Sequence, residues 1–137
     1  MQDQIADQLA IRELVERSAI GVMRHDWELW GSTWDEDSTW IVAFLDEPAR
    51  GRDNIVRIFS EKMATIEFVQ MSCVPSKLVI EGNKATGETY CQELLFPKAG
   101  GHKIIVGCFH DQYIKRDGQW YFSVREYETL KRTSIET

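Results

Sequence analysis

The sequence predicts an α+β fold: three N-terminal helices packed on a curved, mainly antiparallel sheet that encloses a pocket. Three observations predict it. Up to Ile66 most apolar residues recur at helical spacing; beyond it they alternate or run on as strands do. Three Gly- or Asn-bearing turns divide the second half into four long segments. Helices that precede a meander pack together on one face of it.

The elements follow in order. Residues 4–23 carry Ile5, Leu9, Leu14, Val15, Ala19 and Val22 as a helix-period stripe, with Gly21 as a weak point. Asp26 is placed to cap a second short helix bearing Trp27, Trp30 and Trp34. Ser38–Phe44 is β-branched and aromatic and reads as a first strand. After Asp46-Glu47-Pro48 and Gly51, a third helix is marked by Ile55, Ile58, Phe59, Met63 and Ile66. The four long strands are Phe68–Ile80, Ala85–Phe96, Lys103–Lys115 and Trp120–Leu130, and no helix is expected beyond residue 84. A long antiparallel sheet curls, and helices laid across its hollow cannot fill the wide end. A deep apolar pocket results, the usual form of a small-molecule site.

Composition narrows the function. The 137 residues fit one domain, 1–137, large enough to bury a core without disulfides or metals. The net charge is −6 with scattered Lys and Arg, which argues against nucleic acid and membrane partners. Met1-Gln2-Asp3-Gln4 carries acid early and no apolar signal core, so export is not expected. Cys73, Cys91 and Cys108 are odd in number and lack C-x-x-C spacing, which suits inert thiols in the cytoplasm. No local ligand spacing, phosphate loop or nucleophile elbow stands in the chain, so neither metal nor cofactor is expected. Of the tryptophans, Trp27, Trp30 and Trp34 read as core and Trp40 as a pocket wall.

Three segments carry a resemblance: Ala10-Ile11-Arg12-Glu13-Leu14, Trp34-Asp35-Glu36-Asp37-Ser38-Thr39-Trp40, and Arg116-Asp117-Gly118-Gln119-Trp120-Tyr121-Phe122. In order and spacing they resemble the SnoaL-like branch of the nuclear-transport-factor-like superfamily, which includes γ-hexachlorocyclohexane dehydrochlorinase, scytalone dehydratase and bile-acid dehydratase. The resemblance implies a cone-shaped fold and assembly as a homodimer or homotrimer. It also implies a lyase mechanism in which a His, held by an Asp, takes a proton next to a leaving group. Carried over, the Asp falls on Met23 and the His on Gln70, with one residue of register open towards Met71. The family Arg falls on Arg125 and is kept. Neither Met nor Gln takes a proton near neutral pH, so dehydrochlorination and scytalone-type dehydration are expected to be absent.

The remaining candidates follow from strand alternation. His25 and His102 read as loop residues. His110 and Asp111 are neighbours in one strand and face opposite ways; the resemblance turns Ile105, Gly107, Phe109 and Asp111 inward and His110 outward. A buried Asp111 needs a partner. Arg125 on the next strand is the obvious one, either as a structural pair or with Arg125 binding a substrate anion while Asp111 or Glu93 serves as base. Tyr113 and Tyr127 are possible donors to a substrate oxygen. The expected site therefore has Arg125 and Asp111 as its chemistry, with Met23, Trp40, Gln70, Glu93, Phe109 and Tyr127 around a small apolar organic ligand. The leading function is proton transfer, by a lyase or isomerase, on a hydrophobic cyclic compound. A non-catalytic binding protein of the same fold is the rival, and a structural subunit a weaker third.

Overall fold

A computed structural model describes residues 2–136, so Met1 of the N-terminal segment lies outside it. The helices are α1 (Gln2–Arg24), α2 (Trp27–Ser32) and α3 (Arg52–Met63). The strands are β1 (Trp34–Ile41), β2 (Ala49–Arg50), β3 (Ile66–Glu81), β4 (Lys84–Pro97), β5 (His102–Arg116) and β6 (Gln119–Ile135). They form one curved sheet in the order β2-β1-β6-β5-β4-β3.

The four long strands form the antiparallel meander that the turns predict. The short pair β1–β2 joins its edge, and β1 runs parallel to β6. That parallel pair was not foreseen, because nothing local in the chain says which strand β1 will meet. Trp34 also departs from the sequence reading. It opens β1 rather than closing α2, since Thr33 caps the helix after six residues. As expected, Asp26 caps α2, its carboxylate accepting from the Leu29 N–H at 3.0 Å.

The resemblance-bearing segments meet in space. Arg116 of the β5–β6 hairpin donates to Asp35 of β1 at 2.7 Å, and the Phe122 N–H donates to the Thr33 carbonyl. Trp120 and Lys115 both donate to Asp7, fastening α1 to that hairpin; the Trp120 bond is the main reason the Asp7 carboxyl lies below its ordinary value. The helices cover one face of the sheet, with Ile11, Leu14, Val15 and Ala19 of α1 buried against it.

Gly21 is where α1 meets α2. A Cβ there would lie 2.9 Å from both the Trp30 N and Cβ. Helix propensity alone favours Gly21→Ala by about 1 kcal/mol. The clash with backbone should outweigh it, for a net loss of about 1–3 kcal/mol in urea unfolding.

Candidate functional site

Between the helices and the hollow of the sheet lies a cavity of about 250 Å³. That is just below the usual range for small-molecule sites. A larger, more open groove of about 410 Å³ runs past Thr39, Lys84 and Gln112. The smaller cavity is where Glu93, Arg125 and Tyr127 converge.

The upper wall is aromatic. Trp30, Trp34 and Trp40 stand edge to face, with ring centroids 5.6–6.5 Å apart, and Phe59 of α3 packs on Trp30 at 4.6 Å. Trp30 and Trp34 therefore serve as core and as cavity wall together, so the sequence division that kept only Trp40 for the wall was too sharp. Trp27 stays outside, packed against Phe59.

The floor is an ion pair. Asp111 and Arg125 stand directly opposite on β5 and β6 and are 2 % and 3 % exposed. Arg125 Nε donates to Asp111 Oδ1 at 2.7 Å and its Nη2 to Oδ2 at 3.2 Å. Asp111 Oδ2 also accepts from the Thr89 hydroxyl at 2.8 Å and the Tyr113 hydroxyl at 3.0 Å. The guanidinium lies between the faces of Phe109 and Phe122, 3.7 and 3.9 Å from their centroids, and Nη1 reaches Ser18 of α1. Buried charge is tolerated only with such saturation. Of the two roles left open for the pair, this geometry fits the structural one: Asp111 sits behind Arg125, which alone of the two lines the cavity. Tyr113 is spent on Asp111 and offers nothing to a ligand.

Glu93 stands in contrast. It shares the inward face with Cys91 and Leu95, lines the cavity, and has no hydrogen-bond or ion-pair partner among the described residues. Burial pushes its carboxyl up to about 7, against the pull of Arg125 and Arg132. Tyr127 lies nearby, its hydroxyl buried and unpartnered. The hydroxyl lies over Gly107, where any Cβ would collide with it. Burial raises the phenol above its ordinary value, so it is a donor and not a base.

The other expected residues divide. Phe109, Trp40 and Tyr127 line the cavity. Met23 does not: it is half-buried against the core, while Ser18 and Val22, one turn apart on α1, face inward. Gln70 does not either. Strand alternation turns it outward, where its amide meets the Ser72 hydroxyl at 2.7 Å, and Met71 lines the cavity instead. Met71, the other residue the register leaves open, likewise takes no proton. His110 faces outward as expected. His25 is less solvated than a loop position suggests, its ring stacked on Trp27 and its Nε2 buried without a partner. His102 opens β5 rather than lying in the turn. Cys73 and Cys91 pair across β3 and β4 with their sulfurs 2.9 Å apart, a contact their separation in sequence hides.

Sequence reasoning missed two cations at the cavity mouth, Lys62 and Arg132. Lys62 closes α3 and lies over the Phe44 ring at 4.5 Å. Arg132 lies beyond Leu130, the expected end of the last strand, which runs on to Ile135.

A family model described as the SnoaL-like domain matches residues 3–126. The fold is similar to a hexachlorocyclohexane dehydrochlorinase of type 2, at TM-score 0.87 and 19 % identity over 98 % of this chain and 92 % of that one. It is similar to a scytalone dehydratase candidate from Novosphingobium aromaticivorans, at TM-score 0.86 and 20 % identity over 100 % and 93 %. A protein of unknown function from Mycobacterium tuberculosis matches at TM-score 0.75 and 27 % identity, over 95 % and 75 %. No curated protein matches the chain by sequence.

Two outcomes follow from this geometry. Arg125→Ala strands a buried carboxylate and should cost about 3–5 kcal/mol in chemical unfolding, whereas replacing both Arg125 and Asp111 by apolar residues of similar size should cost less. The second concerns Glu93, whose carboxyl titrates near 7 in the fold and near 4.5 when unfolded. A raised carboxyl stabilises fully below the unfolded value, and that contribution is lost as pH rises towards 7. Stability should therefore fall by the order of 3 kcal/mol across this window, and Glu93→Gln should remove that slope.

Proposed function

The chain belongs to the SnoaL-like domain family, and we propose that it is a cofactor-independent enzyme of the lyase or isomerase kind, moving a proton on a hydrophobic cyclic compound. Glu93 carries the reading. It is a cavity carboxyl with no partner among the described residues, held by burial at about 7, where a general base works best. In this reading Glu93 takes a proton beside a carbonyl of the ring, and the Tyr127 hydroxyl donates to the oxygen that gathers charge. The Trp30–Trp34–Trp40 wall holds the ring by contact and excludes water. Arg125 and Asp111 fix the floor and lend Glu93 a nearby positive field. The Asp of the resemblance falls on Met23 and its His on Gln70, or on Met71 one step away, and none of these takes a proton, so this reading moves the proton work to Glu93.

One observation favours a second reading, a binding protein without chemistry: every side chain inherited at the family's proton-transfer positions is inert. A proton-transfer assay separates the two.

We place this activity in the cytoplasm, in a homodimer or homotrimer. Phe68, Val74 and Tyr90 are 45 %, 63 % and 41 % exposed, and a second copy would cover such residues. Among the described residues no helix is long and apolar enough to cross a membrane.

Deuterium wash-in to a bicyclic ketone such as 2-tetralone, followed by proton NMR, tests the proposal. The protein should accelerate exchange at the carbon beside the carbonyl, and Glu93→Gln should slow it by about 10²–10⁴-fold while the ketone still quenches tryptophan fluorescence. Binding without acceleration over buffer would favour the non-catalytic reading. Dehydrochlorination of a halogenated cyclohexane should stay at background in a chloride-release assay, and robust turnover would refute the assignment of the inert positions.

A further inference from the structure

The outer face of the sheet carries a second constellation, unconnected with the cavity. Cys108 and His110 are two residues apart on β5, so both point the same way. Glu88 stands opposite His110 on β4, and Glu128 opposite Cys108 on β6. Three neighbouring strands thus bring a thiol, an imidazole and two carboxylates together, and within β4 and β5 one ligand atom from each of Glu88, Cys108 and His110 lies within 4.8 Å of the others.

The orientation of each group is specific. His110 gives its Nε2 to Glu128 at 2.9 Å, which leaves Nδ1 facing Glu88 Oε2 at 3.6 Å. Glu88 Oε1 is occupied elsewhere, by Lys77 Nζ at 3.2 Å and the Tyr90 hydroxyl at 3.5 Å. Glu88 Oε2 and His110 Nδ1 are thus left to each other, and the buried Cys108 sulfur, whose S–H reaches the Phe109 carbonyl at 3.7 Å, completes the cluster. A carboxylate behind the distal nitrogen of a ligating His is the usual support of a metal site, fixing the tautomer and strengthening the ligand. Tetrahedral zinc holds sulfur at about 2.3 Å and nitrogen at about 2.0 Å, so its ligand atoms sit about 3–4 Å apart. The three groups need draw in by only about 1 Å.

We propose that Glu88 Oε2, Cys108 Sγ and His110 Nδ1 bind a borderline divalent transition metal, zinc above all, with Glu128 orienting the imidazole and the fourth position left to water. The donor set selects against magnesium and calcium, which take oxygen ligands only. On binding, the Cys108 thiol releases its proton to solvent and the thiolate takes the metal. A metal at this point offsets the charges of Glu88, Glu128 and the thiolate at once.

The test uses tag-free, chelator-stripped protein, titrated with Zn²⁺ by calorimetry and with Co²⁺ by absorption spectroscopy. The expected result is saturable binding of one ion per chain and a thiolate-to-cobalt charge-transfer band. Cys108→Ser should abolish the band, and His110→Ala, at a half-exposed position that does not threaten the fold, should weaken zinc binding at least about tenfold. Glu128→Gln should weaken it by about 10–100-fold while the band remains. Absence of saturable binding, or wild-type affinity in both Cys108→Ser and His110→Ala, would show that the cluster is only a network of surface hydrogen bonds. Glu93→Gln should leave metal binding unchanged, which separates this site from the cavity.

Discussion

The fold depends on a single buried ion pair being completely satisfied. Asp111 and Arg125 stand opposite one another near the centre of the sheet, and neither charge has access to bulk water. Their solution draws on almost every layer. β4 contributes the Thr89 hydroxyl, β5 contributes Tyr113 and Phe109, β6 contributes Phe122, and α1 contributes Ser18. A slip of one residue between β5 and β6 would turn one charge outward and strand the other, so the pair also fixes register. The floor of the cavity is rigid because electrostatics leaves it no alternative arrangement.

That rigidity explains why two inward carboxylates differ so sharply. Asp111 has four donors and a matched charge, and it is closed to chemistry. Glu93, two strands from Arg125, feels the guanidinium only at a distance and has no donor, so burial prevails and its carboxyl rises to about 7. Environment assigns the two their roles, as in other sites where neighbouring acids are driven apart. The positive field that moderates Glu93 exists because Arg125 is held by Asp111.

Much of this was legible in the sequence because it rests on periodicity. Alternation along β5 sets Asp111 and His110 on opposite faces, and the resemblance, by turning Phe109 inward, says which of the two enters the cavity; Glu93 and Tyr127 follow by the same parity. What escaped depends on pairing, which local sequence does not encode. The choice between Gln70 and Met71 is a single step of register, and it exchanges a solvent-facing amide for a cavity wall. The parallel contact of β1 with β6 and the capping of α2 before Trp34 are decided by tertiary packing. Arg132 escaped for a simpler reason: the last strand outruns its apolar residues.

The same limit applies to the outer face. Metal-binding motifs are found by spacing along one helix or loop, and by that measure the chain has none. A sheet can bring side chains together from three strands whose residues lie 18 or more positions apart, as Glu88, His110 and Glu128 are. Because neighbouring strand residues face opposite ways, His110 and Asp111 belong to different chemistries despite being bonded to each other. The pleat separates an aromatic-walled cavity, organised by a saturated charge pair, from an outer face of thiol, imidazole and carboxylate. Rigidity won on the inside, by satisfying Asp111 and Arg125, holds the outer groups in register as well.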